Sequence, residues 1–216
     1  MSAQEDITRV RVAYAKGPSL RFTGHLDLQR LWERLLRRSG LPIRYSQGFH
    51  PRARLNLASA LPLGFVSDAE LLDFWMDEPR ALATIRAKLE DAAPPGLVIK
   101  DVRIVDLRED SLQSQMLASE FVVRFFDHQS EEDLQHQVAS LLAKDDILRT
   151  RRKKTYDLRP LILNLEVITL AEDAIGLAMR LRAEPGATGR PDEVLSALGF
   201  SHTQYLVRRT QLILSP

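Results

Sequence analysis

Ile7-Thr8-Arg9-Val10-Arg11-Val12-Ala13-Tyr14, followed by Asp27-Leu28-Gln29-Arg30-Leu31-Trp32-Glu33-Arg34-Leu35-Leu36-Arg37-Arg38-Ser39-Gly40, are the stretches on which the fold turns. The first alternates. Val10, Val12 and Tyr14 fall on one side and Arg9 and Arg11 on the other, the period of a strand. Lys16-Gly17-Pro18-Ser19 then signals a turn. In the second stretch Leu28, Leu31, Trp32, Leu35 and Leu36 follow the spacing of a helix with one buried stripe. Asp27 suits its first turn, Arg37 and Arg38 its last, and Gly40 its C-terminal cap.

Working outward, Ile43–Ser46 and Arg52–Ala58 are expected to be short extended pieces around Gln47-Gly48-Phe49-His50-Pro51. A strand is expected over Leu71–Met76 and a helix from Pro79, with Leu82, Ile85 and Leu89 on its buried face. Pro94-Pro95-Gly96 ends that helix, and Leu97–Val105 reads as a strand. The second half repeats the order. Glu120–Phe126 is a strand, Ser130-Glu131-Glu132-Asp133 resembles a capping box, and Leu134, Val138, Leu141 and Leu142 make a helical stripe. Leu161–Ile168 alternates with Leu161, Leu163, Leu165 and Val167 inward, and Ala174–Arg182 alternates as well. Arg190-Pro191 opens a short helix stopped by Gly199, and Tyr205–Leu214 closes as a strand.

Two passes of βαββαβ predict an α+β protein of two tandem ferredoxin-like domains with antiparallel sheets. The boundary is expected in the polar run Arg108–Gln115, giving domains over residues 1–108 and 116–216.

Composition excludes several classes. With 216 residues, 44% hydrophobic and 27% charged, the chain is an ordinary folded protein and not a disordered one. It has no cysteine, which removes disulfides, thiolate metal sites and cysteine nucleophiles. Met1-Ser2-Ala3-Gln4-Glu5-Asp6 is too polar for a signal peptide, and no run reaches the ~18 apolar residues of a membrane span, so a cytoplasmic location is expected. The five histidines, at 25, 50, 128, 136 and 202, show no metal-ligand spacing, and no cofactor motif is present.

The net charge of +1 conceals a sorting of charge. Eight arginines lie between Arg21 and Arg54 against Asp27 and Glu33 alone. Six bases lie between Arg149 and Arg159 against Asp157. Compensating acids, among them Asp68, Glu70, Asp73, Asp77 and Glu78, fall outside both stretches. Charge patterned in this way can bind a polyanion; it can also be merely a solvated face.

Three segments carry candidate chemistry. Arg21-Phe22-Thr23-Gly24-His25-Leu26-Asp27 enters the arginine-faced helix, where Arg21 and His25 could meet phosphate or transfer a proton; alternatively His25 and Asp27 only cap the helix. In Tyr45-Ser46-Gln47-Gly48-Phe49-His50-Pro51-Arg52-Ala53-Arg54, aromatic, amide and basic groups interleave as single-stranded RNA recognition requires. The alternative is a hairpin tip whose aromatic packs into the core. The run from Arg149 to Pro160 is a further basic surface. The expected RNA contacts are Arg21, His25, Arg30, Arg34, Arg37, Arg38, Tyr45, Gln47, Phe49, His50, Arg52 and Arg54, extended by Arg152, Lys153, Arg159 and Arg209. No catalytic residue is assigned; in an alternative reading His25 and His50 would serve a metal-independent endoribonuclease.

Leu20-Arg21-Phe22-Thr23-Gly24-His25-Leu26-Asp27-Leu28, Gly40-Leu41-Pro42, Tyr45-Ser46-Gln47-Gly48-Phe49-His50-Pro51 and Ala60-Leu61-Pro62-Leu63-Gly64 closely resemble the radical-SAM-linked conserved hypothetical family. Tyr156-Asp157-Leu158-Arg159-Pro160-Leu161-Ile162 looks like a second signature, and Gly24 departs from the serine expected there. The family's domain of unknown function occurs alone or fused behind a radical-SAM domain. The resemblance implies a radical-SAM partner in trans, because a chain without cysteine cannot hold that chemistry's iron–sulfur cluster. A distant similarity in fold to RNA-binding and RNA-processing proteins of CRISPR systems implies RNA as ligand. The reading is a non-catalytic RNA-binding or substrate-presenting module; a protein–protein adaptor is the third class.

Overall fold

Strand β1 spans Thr8–Lys16 and is paired on both edges. The computed structural model describes residues 7–151 and 153–215, so the polar start, Arg152 and Pro216 lie outside the described residues. After Gln115 the chain divides into two compact units.

In the first unit β1 is followed by α1 (His25–Arg38), β2 (Leu55–Leu57), β3 (Val66–Met76), α2 (Leu82–Ala92), β4 (Leu97–Val105) and a single turn, α3 (Leu112–Gln115). The strands run β4-β1-β3-β2, each antiparallel to its neighbours. Val12 sits between Leu72 on β3 and Val102 on β4. The alternation of β1 places Val10, Val12 and Tyr14 under Leu28, Trp32, Leu35 and Leu36 of α1 and Ile85 and Leu89 of α2. Tyr14 meets Trp32 edge-on at 4.9 Å between centroids. Each such side chain stabilises by about 1.5–3 kcal/mol when fully buried, so packing rather than capping holds α1.

The opposite side of β1, which carries Arg9 and Arg11, is not a solvent face either. Arg9 and Arg11 are 3% and 2% exposed. Asp73, directly across from Arg11 on β3, receives Nε of Arg9 at 2.9 Å and Nε of Arg11 at 2.8 Å. Arg9 also donates to the Asp110 carbonyl at 2.8 Å, and Arg11 to the Glu109 carboxylate at 2.7 Å. The polar run read as a linker is thereby tied to β1. Asp73, an acid outside both basic stretches, is the buried partner of two further arginines, Arg9 and Arg11.

Helix α2 starts at Leu82, not Pro79, because Ala81 is extended (φ −60°, ψ 137°), and Leu82 is exposed.

The second unit contains β5 (Met116–Phe125), α4 (Glu131–Leu142), β6 (Leu148–Arg151), β7 (Lys154–Asp157), β8 (Ile162–Thr169), β9 (Ile175–Glu184), β10 (Ala187–Thr188), α5 (Pro191–Ala197) and β11 (Tyr205–Leu214). Strands β8, β9, β5 and β11 lie side by side in that order, antiparallel, with β10 also on β9. Ser130 caps α4 by accepting the Asp133 N–H at 3.3 Å. The basic run forms a separate hairpin, β6–β7, which the periodicity did not reveal. In β8 the pairing slips between Ile162 and Asn164. That bulge turns Ile162 and Leu165 inward and leaves Leu163 exposed, against the strict alternation expected. Among the described residues, no helix is long and apolar enough to cross a membrane.

Candidate functional site

Helix α1 begins behind Gly24, whose extended backbone forms the N-cap without a side-chain hydrogen bond. His25 and Asp27 therefore do not cap it. Asp27 instead pairs loosely with Arg30 at 3.4 Å on the exposed face. His25 is partly buried, with Nδ1 shielded and lacking a hydrogen-bond partner among the described residues.

Residues 43–54 double back as a hairpin hooked onto the end of β3. Arg44 N–H donates to the Trp75 carbonyl at 2.8 Å, and Trp75 N–H to the Arg54 carbonyl at 3.2 Å. Tyr45 bridges Ala53, and Ser46 N–H donates to the Arg52 carbonyl at 2.8 Å. At the tip, Gly48 has φ +128° with open space around it, so backbone conformation rather than crowding calls for glycine. Phe49 is fully exposed at 102%, and Tyr45, Gln47 and His50 are exposed beside it. The aromatic at the tip is thus not a core residue.

The structure brings this hairpin against the outer face of α1. Arg52 joins Leu26, Gln29, Arg30 and Glu33 around a groove of about 180 Å³. The spacing 26, 29, 30 and 33 is a helical stripe opposite the buried one. That signal was present in the sequence for Leu26, Gln29 and Glu33, but apolar and acidic members hid it among the arginines.

The eight arginines of this region divide by role. Arg21 donates to the Gly64 carbonyl at 2.8 Å and stacks 5.2 Å from Phe22. Arg38 donates to the Ala92 carbonyl, pinning α1 to the end of α2. Arg44 pairs with Asp77 at 2.9 Å, and Arg54 lies 4.4 Å over Trp75. Arg30, Arg34, Arg37 and Arg52 are turned to solvent. Of the expected phosphate contacts, Arg21 and Arg38 are therefore each tied to a backbone carbonyl, Arg38 while still exposed.

In the second unit, Lys153 is exposed at the tip of β6–β7 with φ +68°. Arg159 donates to the Leu142 carbonyl at 3.1 Å, closing the end of α4. Arg209 is 2% exposed, 5.4 Å from the Phe121 ring. Burial removes Arg209 from any surface track, and Arg159 is held by the helix end. Arg152 lies outside the described residues.

Residues 9–191 match the model of the family described as "Uncharacterized protein conserved in bacteria (DUF2344)". The chain belongs to this family. No curated protein matches it. Among solved structures, this DUF2344 chain is similar to a Cbf5-Nop10-Gar1 complex, at TM-score 0.49 and 9% identity over 95% of this chain and 48% of that one. An H/ACA RNP bound to a substrate RNA containing 2'-deoxyuridine gives TM-score 0.46 and 10% identity over 95% and 47%. An archaeal box H/ACA sRNP Nop10-Cbf5 complex gives 0.43 and 10% over 95% and 48%. The chain spans about half the length of these structures.

Proposed function

We propose that this DUF2344 chain is a non-catalytic RNA-binding or substrate-presenting module, acting with a radical-SAM partner. The observation that carries the reading is the fully exposed Phe49 on a hairpin whose Arg52 shares a groove with Arg30 of α1. A fully exposed ring offers a flat face on which a base can stack. Arg30, Arg34, Arg37 and Arg52 supply phosphate contacts. Tyr45, Gln47 and His50 supply base contacts, and Gln29 and Glu33 in the groove can read donor groups on a base edge. The radical-SAM link rests on the motif resemblance and on the absence of cysteine from this chain.

The proposal includes two ferredoxin-like domains divided near Gln115. Supporting it, each unit follows the order strand, helix, strand, strand, helix, strand once the β6–β7 hairpin and the two-residue β10 of the second unit are set aside, with the last main strand beside the first and the second main strand outermost.

The test is anisotropy of labelled single-stranded RNA with the full chain. Binding that weakens steeply with salt is expected, with RNA left intact in chelator. Phe49→Ala should weaken it by about 1–3 kcal/mol per stacked base. Absence of RNA binding at low salt, or affinity indifferent to salt, overturns the reading. Cleavage of the RNA would move it to the endoribonuclease built on His25 and His50.

A further inference from the structure

The second unit holds a cleft of about 580 Å³ between the β6–β7 hairpin and the β9–β10 turn, and the proposed RNA surface makes no use of it. Its volume falls in the range of small-ligand sites, roughly 300–1,000 Å³. Arg151, Lys154, Tyr156, Leu161, Thr188 and Arg190 contribute to its walls.

The hairpin register explains the lining. Arg149 opposes Tyr156 and Arg151 opposes Lys154, so these four side chains share one face. Thr150 and Thr155 occupy the other, with their hydroxyls 3.2 Å apart. Arg149 donates to Glu193 at 2.9 Å and to Ser196 at 2.7 Å, fastening that face to α5.

Arg151 and Lys154 stand directly across the ladder from one another, and like charges in that position repel. Neither forms an ion pair among the described residues. Two acids lie here. Asp157 also lines the cleft, and its Oδ1 accepts the backbone N–H groups of Ile147 at 2.8 Å and Arg159 at 2.9 Å. Asp192 holds the Arg190 guanidinium from two sides, at 3.0 and 2.7 Å, which orients it. A cation pair with no internal partner, at the mouth of a cleft that also offers Tyr156 and Leu161, suits an anion carried on a flat body.

We propose that this cleft binds a nucleoside 5′-phosphate, with the phosphate between Arg151 and Lys154 and the ring system against Tyr156 and Leu161. Two sources share that chemistry: a free mononucleotide and the phosphorylated 5′ end of an RNA strand. Burial, then the charge of Glu193, raises the Tyr156 pKa, so its hydroxyl stays a neutral donor near pH 7. The site is independent of Phe49 and the α1 arginines.

Calorimetric titration of the full chain tests it with 5′-AMP, adenosine and inorganic phosphate. 5′-AMP should bind more tightly than either fragment. Arg151→Ala/Lys154→Ala should weaken 5′-AMP roughly ten- to hundredfold, the loss expected for charge-assisted hydrogen bonds. Lys154→Gln alone should give a smaller loss in the same direction, and Phe49→Ala none. Since the double variant removes a like-charge contact, its thermal midpoint should not fall. A 5′-phosphorylated RNA bound more tightly than its 5′-hydroxyl twin, with the difference abolished in the double variant, assigns the RNA end as the source. 5′-AMP binding with no difference between the two RNAs assigns the free nucleotide. The proposal is overturned if neither 5′-AMP nor the 5′-phosphate gives an effect, or if the variants bind both as the parent does. Its failure leaves the RNA surface of the first unit untouched, because that reading is lost only with Phe49 and the α1 arginines.

Discussion

Asp73 is the buried counter-charge of two arginines in the first unit. It is 0% exposed and serves both Arg9 and Arg11, so removing it leaves two buried guanidinium groups short of their counter-charge. Asp73→Ala should destabilise the unit by about 3–5 kcal/mol, read from chemical denaturation. Phe49→Ala should change stability by less than about 0.5 kcal/mol, since the ring touches water on all sides, while weakening RNA. The same cluster sets an acid limit. Burial opposes the Glu109 charge, but hydrogen bonds from Gln115 and Arg11 and the Arg11 charge outweigh it and lower its pKa below the ordinary 4.5. A carboxylate with a lowered folded pKa contributes stability above its unfolded value and loses it as pH falls through the folded one. The thermal midpoint should therefore drop below pH 4.5, and less so in Glu109→Gln. Alternation put Arg9 and Arg11 on the second side of β1 but could not name their partner, because it lies more than sixty residues away in the chain. Nothing local in the sequence pairs them.

At the scale of elements, α1 was legible because its signals are local. A buried stripe, an acidic first turn and Gly40 with φ +64° lie within one short window. β4 and β11 were legible for the same reason. The bulge in β8 was not, since the slip is set by pairing with β9 and leaves no mark on composition. The β6–β7 hairpin was masked by its own charge, which reads as a solvated run before it reads as two strands. The candidate site was legible in part. Phe49 and the α1 arginines stood out by residue type, but which arginines are free depends on carbonyls elsewhere, Gly64 for Arg21 and Ala92 for Arg38. Exchanging Arg30, Arg34 and Arg37 for Ala should weaken all RNAs alike, whereas Phe49→Ala should alter base preference.

For the molecule as a whole, a near-neutral sequence resolves into different kinds of basic residue. Some hold the fold, as Arg9, Arg11, Arg38 and Arg149 do; others, Arg30, Arg34, Arg37 and Arg52, face solvent on α1 and on the hairpin that carries Phe49. Only the second kind can release counterions when a polyanion binds. The dependence of RNA affinity on salt is therefore the most direct measurement, made on the full chain and on the Arg30→Ala/Arg34→Ala/Arg37→Ala variant. Each phosphate contact to a single strand contributes about 0.7 to the log–log slope, so the variant should lose about 2. An unchanged slope, with affinity also unchanged, would contradict RNA binding by this surface.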